Sequence, residues 1–127
     1  MPGPEVVRGV RVVADPSALD LADWPEGAEV VRLAPDDALV LGVTDVRVDD
    51  PHAIVEPDHG WVLLRFDHAG FAARVRPHID WVVSAAPGTL AQGLVAGVPA
   101  KVLVDTDGVR LLCGAAYAHE LIERVGE

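Results

Sequence analysis

Short apolar runs separated by clusters of glycine, proline and acidic residues alternate along this chain, and they predict strands joined by turns. Residues 6–13 are rich in β-branched side chains and predict the first strand. A short helix is predicted from Pro16 to about Asp23, because Asp15 can cap a helix whose first position tolerates proline. Strands are predicted at residues 28–33 and 38–42. The first third therefore has the order strand, helix, strand, strand.

The middle of the chain contains many acids and structure breakers. From Asp45 to His59 these residues predict a mobile connecting loop, interrupted by a short strand at residues 52–55. Residues 61–66 predict another strand, and Asp67 predicts the cap of a helix that ends at Arg76-Pro77. This is a second strand-helix unit.

The last third predicts paired strands and a closing helix. Glycines and a proline inside residues 89–104 argue against one helix, so two strands divided at Gly97 are predicted. The Asp-Gly pair at 107–108 predicts a tight turn that joins residues 100–104 to 109–113 as a hairpin. A final amphipathic helix is predicted from Ala115, with one apolar stripe made of Tyr117, Leu121, Ile122 and Val125.

These elements indicate an α+β fold, in which an antiparallel or mixed β-sheet carries two to three helices on one face. The length suits a single domain over residues 1–127, and each half begins with a strand and a helix before it continues into strands.

Charge and composition narrow the classes of function. The chain has 20 acidic and 10 basic residues, a formal charge of −10, which repels nucleic acid and anionic membranes. The first residues lack the pattern of a secretory signal, and no apolar run reaches the ~18 residues of a membrane span, so a cytoplasmic protein is expected. Cys113 stands alone, which excludes a disulfide within the chain and suits a buried small side chain.

No complete set of catalytic or metal-binding residues is recognisable. The acids and histidines of residues 49–59 do not have the spacing of a ligand motif, so no metal site and no cofactor are predicted. Ser84 lacks the glycines of a nucleophile elbow, Cys113 lies in an apolar strand, and His119 is expected on the surface. The chain is therefore not expected to be an enzyme on its own.

Tryptophans offer the alternative of a binding site. Trp24, Trp61 and Trp81 suit core positions, but an aromatic wall for a flat ring would use the same residue type. Trp61 and the loop that contains Asp80 and Trp81 are the candidate ligand-binding residues.

Several segments resemble a known family in their order. They are Ala34-Pro35-Asp36-Asp37-Ala38-Leu39-Val40, His59-Gly60-Trp61-Val62-Leu63-Leu64-Arg65, Ile79-Asp80-Trp81, Leu94-Val95-Ala96-Gly97-Val98-Pro99, Gly108-Val109-Arg110-Leu111-Leu112 and Tyr117-Ala118. The order is similar to that of the gamma subunits of heterotetrameric sarcosine oxidases, which belong with the aminomethyltransferase-like domains of the glycine-cleavage T-protein group. Ala38 stands where the family pattern has a tryptophan.

The resemblance implies an aminomethyltransferase-like fold of pseudo-repeated β-α-β-β units and a role as a non-catalytic accessory or protein-interaction domain. It implies a protein partner or self-association, with folate-like ligand binding or a cryptic one-carbon activity as the alternative. Enzymes of the wider group carry an Asp-Asp pair where this chain has Ala100-Lys101. Aminomethyl transfer is therefore disfavoured, because neither residue supplies the carboxylate.

Overall fold

The computed structural model describes residues 4–84 and 86–126, which form seven β-strands, three α-helices and one short 3-10 helix. The strands are β1 (Glu5–Val13), β2 (Glu29–Ala34), β3 (Asp37–Leu41), β4 (Ile54–Phe66), β5 (Thr89–Val95), β6 (Val98–Val104) and β7 (Val109–Gly114). The helices are α1 (Pro16–Asp20), α2 (His68–Arg74) and α3 (Ala115–Val125), and the 3-10 helix is Arg76–His78. The α+β class and the antiparallel pairing are confirmed. None of the described helices is long and apolar enough to cross a membrane.

The chain divides into two compact units. Val7–His59 forms the N-terminal unit, and Gly60–Glu127 together with Met1–Val6 forms the C-terminal unit. The prediction of a single domain over residues 1–127 stays a prediction.

In the N-terminal unit, β3 lies between β2 and β1 and pairs antiparallel with both. Helix α1 begins as predicted, because the Asp15 carboxylate accepts a hydrogen bond of 3.0 Å from the amide of Ser17. The helix ends at Asp20, earlier than expected. The buried core of this unit consists of Val10, Val12, Ala14, Leu19, Ala38, Val40 and Val46, and Trp24 packs against it.

In the C-terminal unit, four antiparallel strands follow the order β4, β7, β6, β5. The predicted hairpin of β6 and β7 is confirmed, with residues 105–108 between the strands. The two strands predicted on either side of Gly97 are β5 and β6, and they pair as a second hairpin through Ala96 and Gly97. Ala96 and Gly97 both have positive φ, as the tightest hairpin turns require.

One face of this sheet carries the core of the C-terminal unit. Strand residues that alternate along β4, β6 and β7 point to it, and both α2 and α3 cover it. Its largest fully buried side chains are Leu64, Phe71, Leu111 and Leu121, and the predicted burial of Cys113 is confirmed there. We call this the core face, and the opposite side of the same four strands the second face.

Two local predictions are wrong, the loop at residues 56–59 and the place of Tyr117 in the apolar stripe of α3. Residues 56–59 are not a loop, because Pro57 and Gly60 lie inside the single 13-residue strand β4; proline fixes a φ that extended backbone accepts, and glycine accepts the φ of +89° at position 60. The apolar stripe of α3 is formed by Ala118, Leu121 and Val125, with Ile122 partly buried. Tyr117 is 49% exposed and lies outside that stripe.

Candidate functional site

A cleft of about 380 Å³ opens on the second face of the C-terminal unit. Side chains that alternate with the core residues point to it: Trp61 next to core Val62, Lys101 next to core Val102, and Leu112 next to core Leu111. The described residues that line it are Trp61, Gln92, Gly93, Leu94, Pro99, Ala100, Lys101, Leu112, Gly114 and Tyr117. We call this site the cleft.

Strand register places these side chains in two rows. In one row Gln92 lies opposite Lys101, and Lys101 lies opposite Leu112. In the next row Trp61 lies opposite Gly114, at the junction of β7 and α3. Because Gly114 has no side chain, the floor of the cleft stays open beside the indole of Trp61.

A lysine provides the charged group of the cleft, and two neighbouring side chains hold it in place. The ammonium of Lys101 lies 5.6 Å from the ring centroid of Trp61, within the range of a cation–π contact. The same ammonium donates a hydrogen bond of 2.7 Å to the side-chain carbonyl of Gln92. These contacts hold a positive charge above an aromatic surface.

The rim of the cleft is apolar and accessible. Leu94 is 55% exposed and Tyr117 is 49% exposed, and Pro99 is exposed between them in the lining. Tyr117 reaches the cleft from the first turn of α3, where its ring lies 3.7 Å from the position a Cβ on Gly114 would take. Large exposed aromatic and aliphatic side chains around a lysine form a surface that suits a partly apolar ligand.

The structure does not bring the three predicted site residues together. Trp61 lines the cleft, whereas Trp81 packs against the core face, where its ring covers Gly93. The indole nitrogen of Trp81 donates a hydrogen bond of 2.8 Å to the carbonyl of Leu94. Asp80 is exposed beside it. A ligand in the cleft would therefore meet Trp61, while Trp81 supports the strand behind it.

The residues missed by sequence reasoning are Gln92, Leu94, Lys101 and Tyr117. The alternation of side chains along β5 and β6 could have indicated the first three, because it places them on the second face while the core residues of the same strands lie on the core face. No signal for Tyr117 was available, because helical spacing alone does not distinguish the edge of a buried stripe from the rim of a cleft.

The side chains of Cys113, Ser17 and Ser84 are either buried or engaged in local hydrogen bonds. Cys113 is 1% exposed, and its burial raises the pKa of the thiol, which disfavours the nucleophilic thiolate. The hydroxyl of Ser17 donates to the Asp15 carboxylate at the cap of α1. The hydroxyl of Ser84 accepts from the amide of Ala86 in a local turn.

The acidic segment of the N-terminal unit is organised by backbone contacts. The carboxylate of Asp50 accepts hydrogen bonds of 2.8 Å from the amides of Asp15 and His52, and these bonds lower its pKa. Within residues 4–84 and 86–126, no group of three or more His, Cys, Asp or Glu side chains is placed to hold a metal ion.

Comparisons with known proteins identify no family for this chain. No protein-family model matches the sequence, and no curated protein matches it either.

Proposed function

We propose that this chain is a non-catalytic binding domain whose cleft takes a flat, folate-like small molecule. The observation that carries the proposal is the ammonium of Lys101 positioned 5.6 Å from the centroid of the Trp61 ring, in a cleft that the half-exposed Tyr117 also lines. Aromatic rings provide stacking surface for a planar ligand, and the ammonium provides a partner for an acidic substituent.

The size and lining of the cleft support this ligand class. Its volume of about 380 Å³ is within the range of sites that hold small molecules, ~300–1,000 Å³. Among its described lining residues, Gln92 and Lys101 have polar side chains, Trp61 and Tyr117 each add a single N–H or O–H group to an aromatic ring, and the others are apolar or glycine. Such sites obtain affinity from apolar contact and orientation from a few polar groups.

The non-catalytic part of the proposal rests on the surroundings of the nucleophiles. Cys113 is buried on the core face with a raised thiol pKa, and Ser17 lies in the N-terminal unit at a helix cap. Both side chains therefore have structural contacts away from the cleft.

Titration of the 15N-labelled chain with folates tests the proposal. Binding in the cleft is expected to shift the amide signals of Gly93 and Gly114 and the indole signal of Trp61. The variant Leu94→Glu replaces a rim contact with a negative charge near Lys101 and should weaken binding by about tenfold, since ~1.4 kcal/mol corresponds to that factor. The matched control Val82→Glu changes a side chain that is 92% exposed outside the cleft and should leave affinity unchanged. Absence of shifts, or equal loss in both variants, would contradict cleft binding.

A second candidate function is an accessory subunit of an oxidase, as the resemblance to sarcosine oxidase gamma subunits implies. It is favoured by the position of the resembling segments: Trp61–Arg65 pairs with β7, and β7 pairs with β6. Both units also begin with the chain order strand, helix, strand, strand, as an aminomethyltransferase-like repeat would, and the C-terminal unit continues with β7 and α3.

Affinity purification of the tagged chain from its native cells, followed by mass spectrometry and sizing, tests this role. Recovery of a flavin- or folate-dependent oxidase subunit in stoichiometric amount would support it. A strictly monomeric chain without any partner would reject it.

A further inference from the structure

The chemical class of ligand can be narrowed from the charge in the cleft. We infer that Lys101 is the specificity-determining residue of this site, and that it selects flat aromatic ligands bearing a carboxylate over their uncharged analogues. The inference rests on the proposed function, because it requires the cleft to bind a planar ring.

The described residues that line the cleft differ in charge from the chain as a whole. Of the ten described residues that line the cleft, Lys101 is the one with a basic side chain, and none of the ten is acidic. The whole chain has twice as many acidic as basic residues. The lining of the cleft therefore has the opposite sign of charge to the chain as a whole.

Contacts within the protein orient the ammonium of Lys101. The side-chain carbonyl of Gln92 accepts a hydrogen bond from the ammonium, and the Trp61 ring lies beneath the charge. A lysine side chain loses rotamer freedom when it is fixed, and here contacts within the protein already restrict it. An arriving anion therefore meets a charge that is largely oriented.

The ammonium of Lys101 lies in the same cleft as the side chains that would contact a ligand ring. Because Lys101 and the rim side chains line the same cleft, a ligand ring on the rim can bring a directly attached carboxylate to Lys101. An amide of the same shape keeps the apolar contacts but offers a neutral acceptor. Hydrogen bonds to a charged acceptor are roughly twice as strong as neutral ones, so the acid should bind more tightly.

A matched pair of probes tests the inference on the full chain. The probes are 2-naphthoate and 2-naphthamide, which share a flat ring system and differ in charge. Chemical-shift titration of the 15N-labelled protein gives both dissociation constants and shows through Gly93 and Gly114 whether the probe occupies the cleft. We expect the acid to bind about tenfold more tightly than the amide, the usual difference for one charge-assisted hydrogen bond.

Three variants assign the selectivity to Lys101. Lys101→Met keeps most of the length of the side chain without its charge and should reduce the acid-to-amide ratio to about one, whereas Lys101→Arg should retain it. Gln92→Glu places a carboxylate on the same ammonium and should lower the ratio of acid affinity to amide affinity. This last variant tests the charge even if Lys101→Met fails to fold.

The outcomes separate the two proposals. If neither probe binds in the cleft, the proposed function is overturned and the inference with it. If both bind equally, or if Lys101→Met retains the preference for the acid, binding stands and the role of Lys101 is overturned.

Discussion

Gly93 in β5 packs directly against the ring of Trp81. A Cβ on Gly93 would lie 2.5 Å from Cε2 of the Trp81 ring and 2.7 Å from its Cζ2 and Nε1 atoms, which is closer than real Cβ atoms approach. The obstacle is the body of an indole ring, which is rigid. Gly93→Ala is therefore expected to displace Trp81 and to break its hydrogen bond to the carbonyl of Leu94.

The expected loss of stability is the sum of opposing effects. Losing the 2.8 Å hydrogen bond costs about 1 kcal/mol. Uncovering ~60 Å² of apolar surface around the ring costs about 1.5 kcal/mol at ~25 cal/mol/Å². Replacing a strand glycine by alanine restricts the unfolded chain and returns about 0.5 kcal/mol. Gly93→Ala should therefore lower the free energy of unfolding by about 2 kcal/mol.

Urea unfolding followed by far-UV circular dichroism measures this change. The control is the same substitution in a Trp81→Ala background, where the ring that opposes the new methyl group is absent. There Gly93→Ala should be neutral or slightly stabilising, so the double-mutant cycle should give a coupling energy of about 2 kcal/mol. The reasoning is refuted if Gly93→Ala is as stable as the natural sequence, or if it costs the same in both backgrounds.

Three further predictions concern separate contacts. Gly97→Ala should lower the free energy of unfolding by about 1 kcal/mol in the same urea assay, because φ is +80° there and a Cβ disfavours that backbone. Asp50→Ala should destabilise the chain above the ordinary aspartate pKa; the depressed pKa of Asp50 means that this difference should vanish as pH falls through its lower folded value, and a pH series of thermal melts showing a constant difference would contradict it. Cys113 should resist a thiol reagent in the native chain and react fully in urea, and rapid native labelling would contradict its burial.

Local signals determined most of the elements. The caps at Asp15 and Asp67 begin helices where the sequence indicates, because a short carboxylate satisfies amides within the next residues and needs no distant partner. The Asp-Gly turn before β7 and the glycine at 97 likewise produce hairpins from local backbone preference.

Predictions from local sequence failed for residue types that occur in more than one kind of structure. Pro57 and Gly60 usually interrupt strands, yet both lie within β4, since strand continuity depends on pairing as well as on each residue's own preference. Tyr117 has the spacing of a buried position on α3, but spacing does not define where the covered stripe ends.

The sequence by itself determined the α+β character, the turn before β7 and the burial of Cys113, because hydrophobic alternation and turn chemistry act over a few residues. Only the tertiary structure decided that Trp61 faces the cleft while Trp81 packs on the core face. It also decided that Lys101 lies above Trp61, 40 positions earlier in the chain. That meeting depends on strand order and register, which bring β6 and β4 to either side of β7, and no short segment of the sequence contains this information.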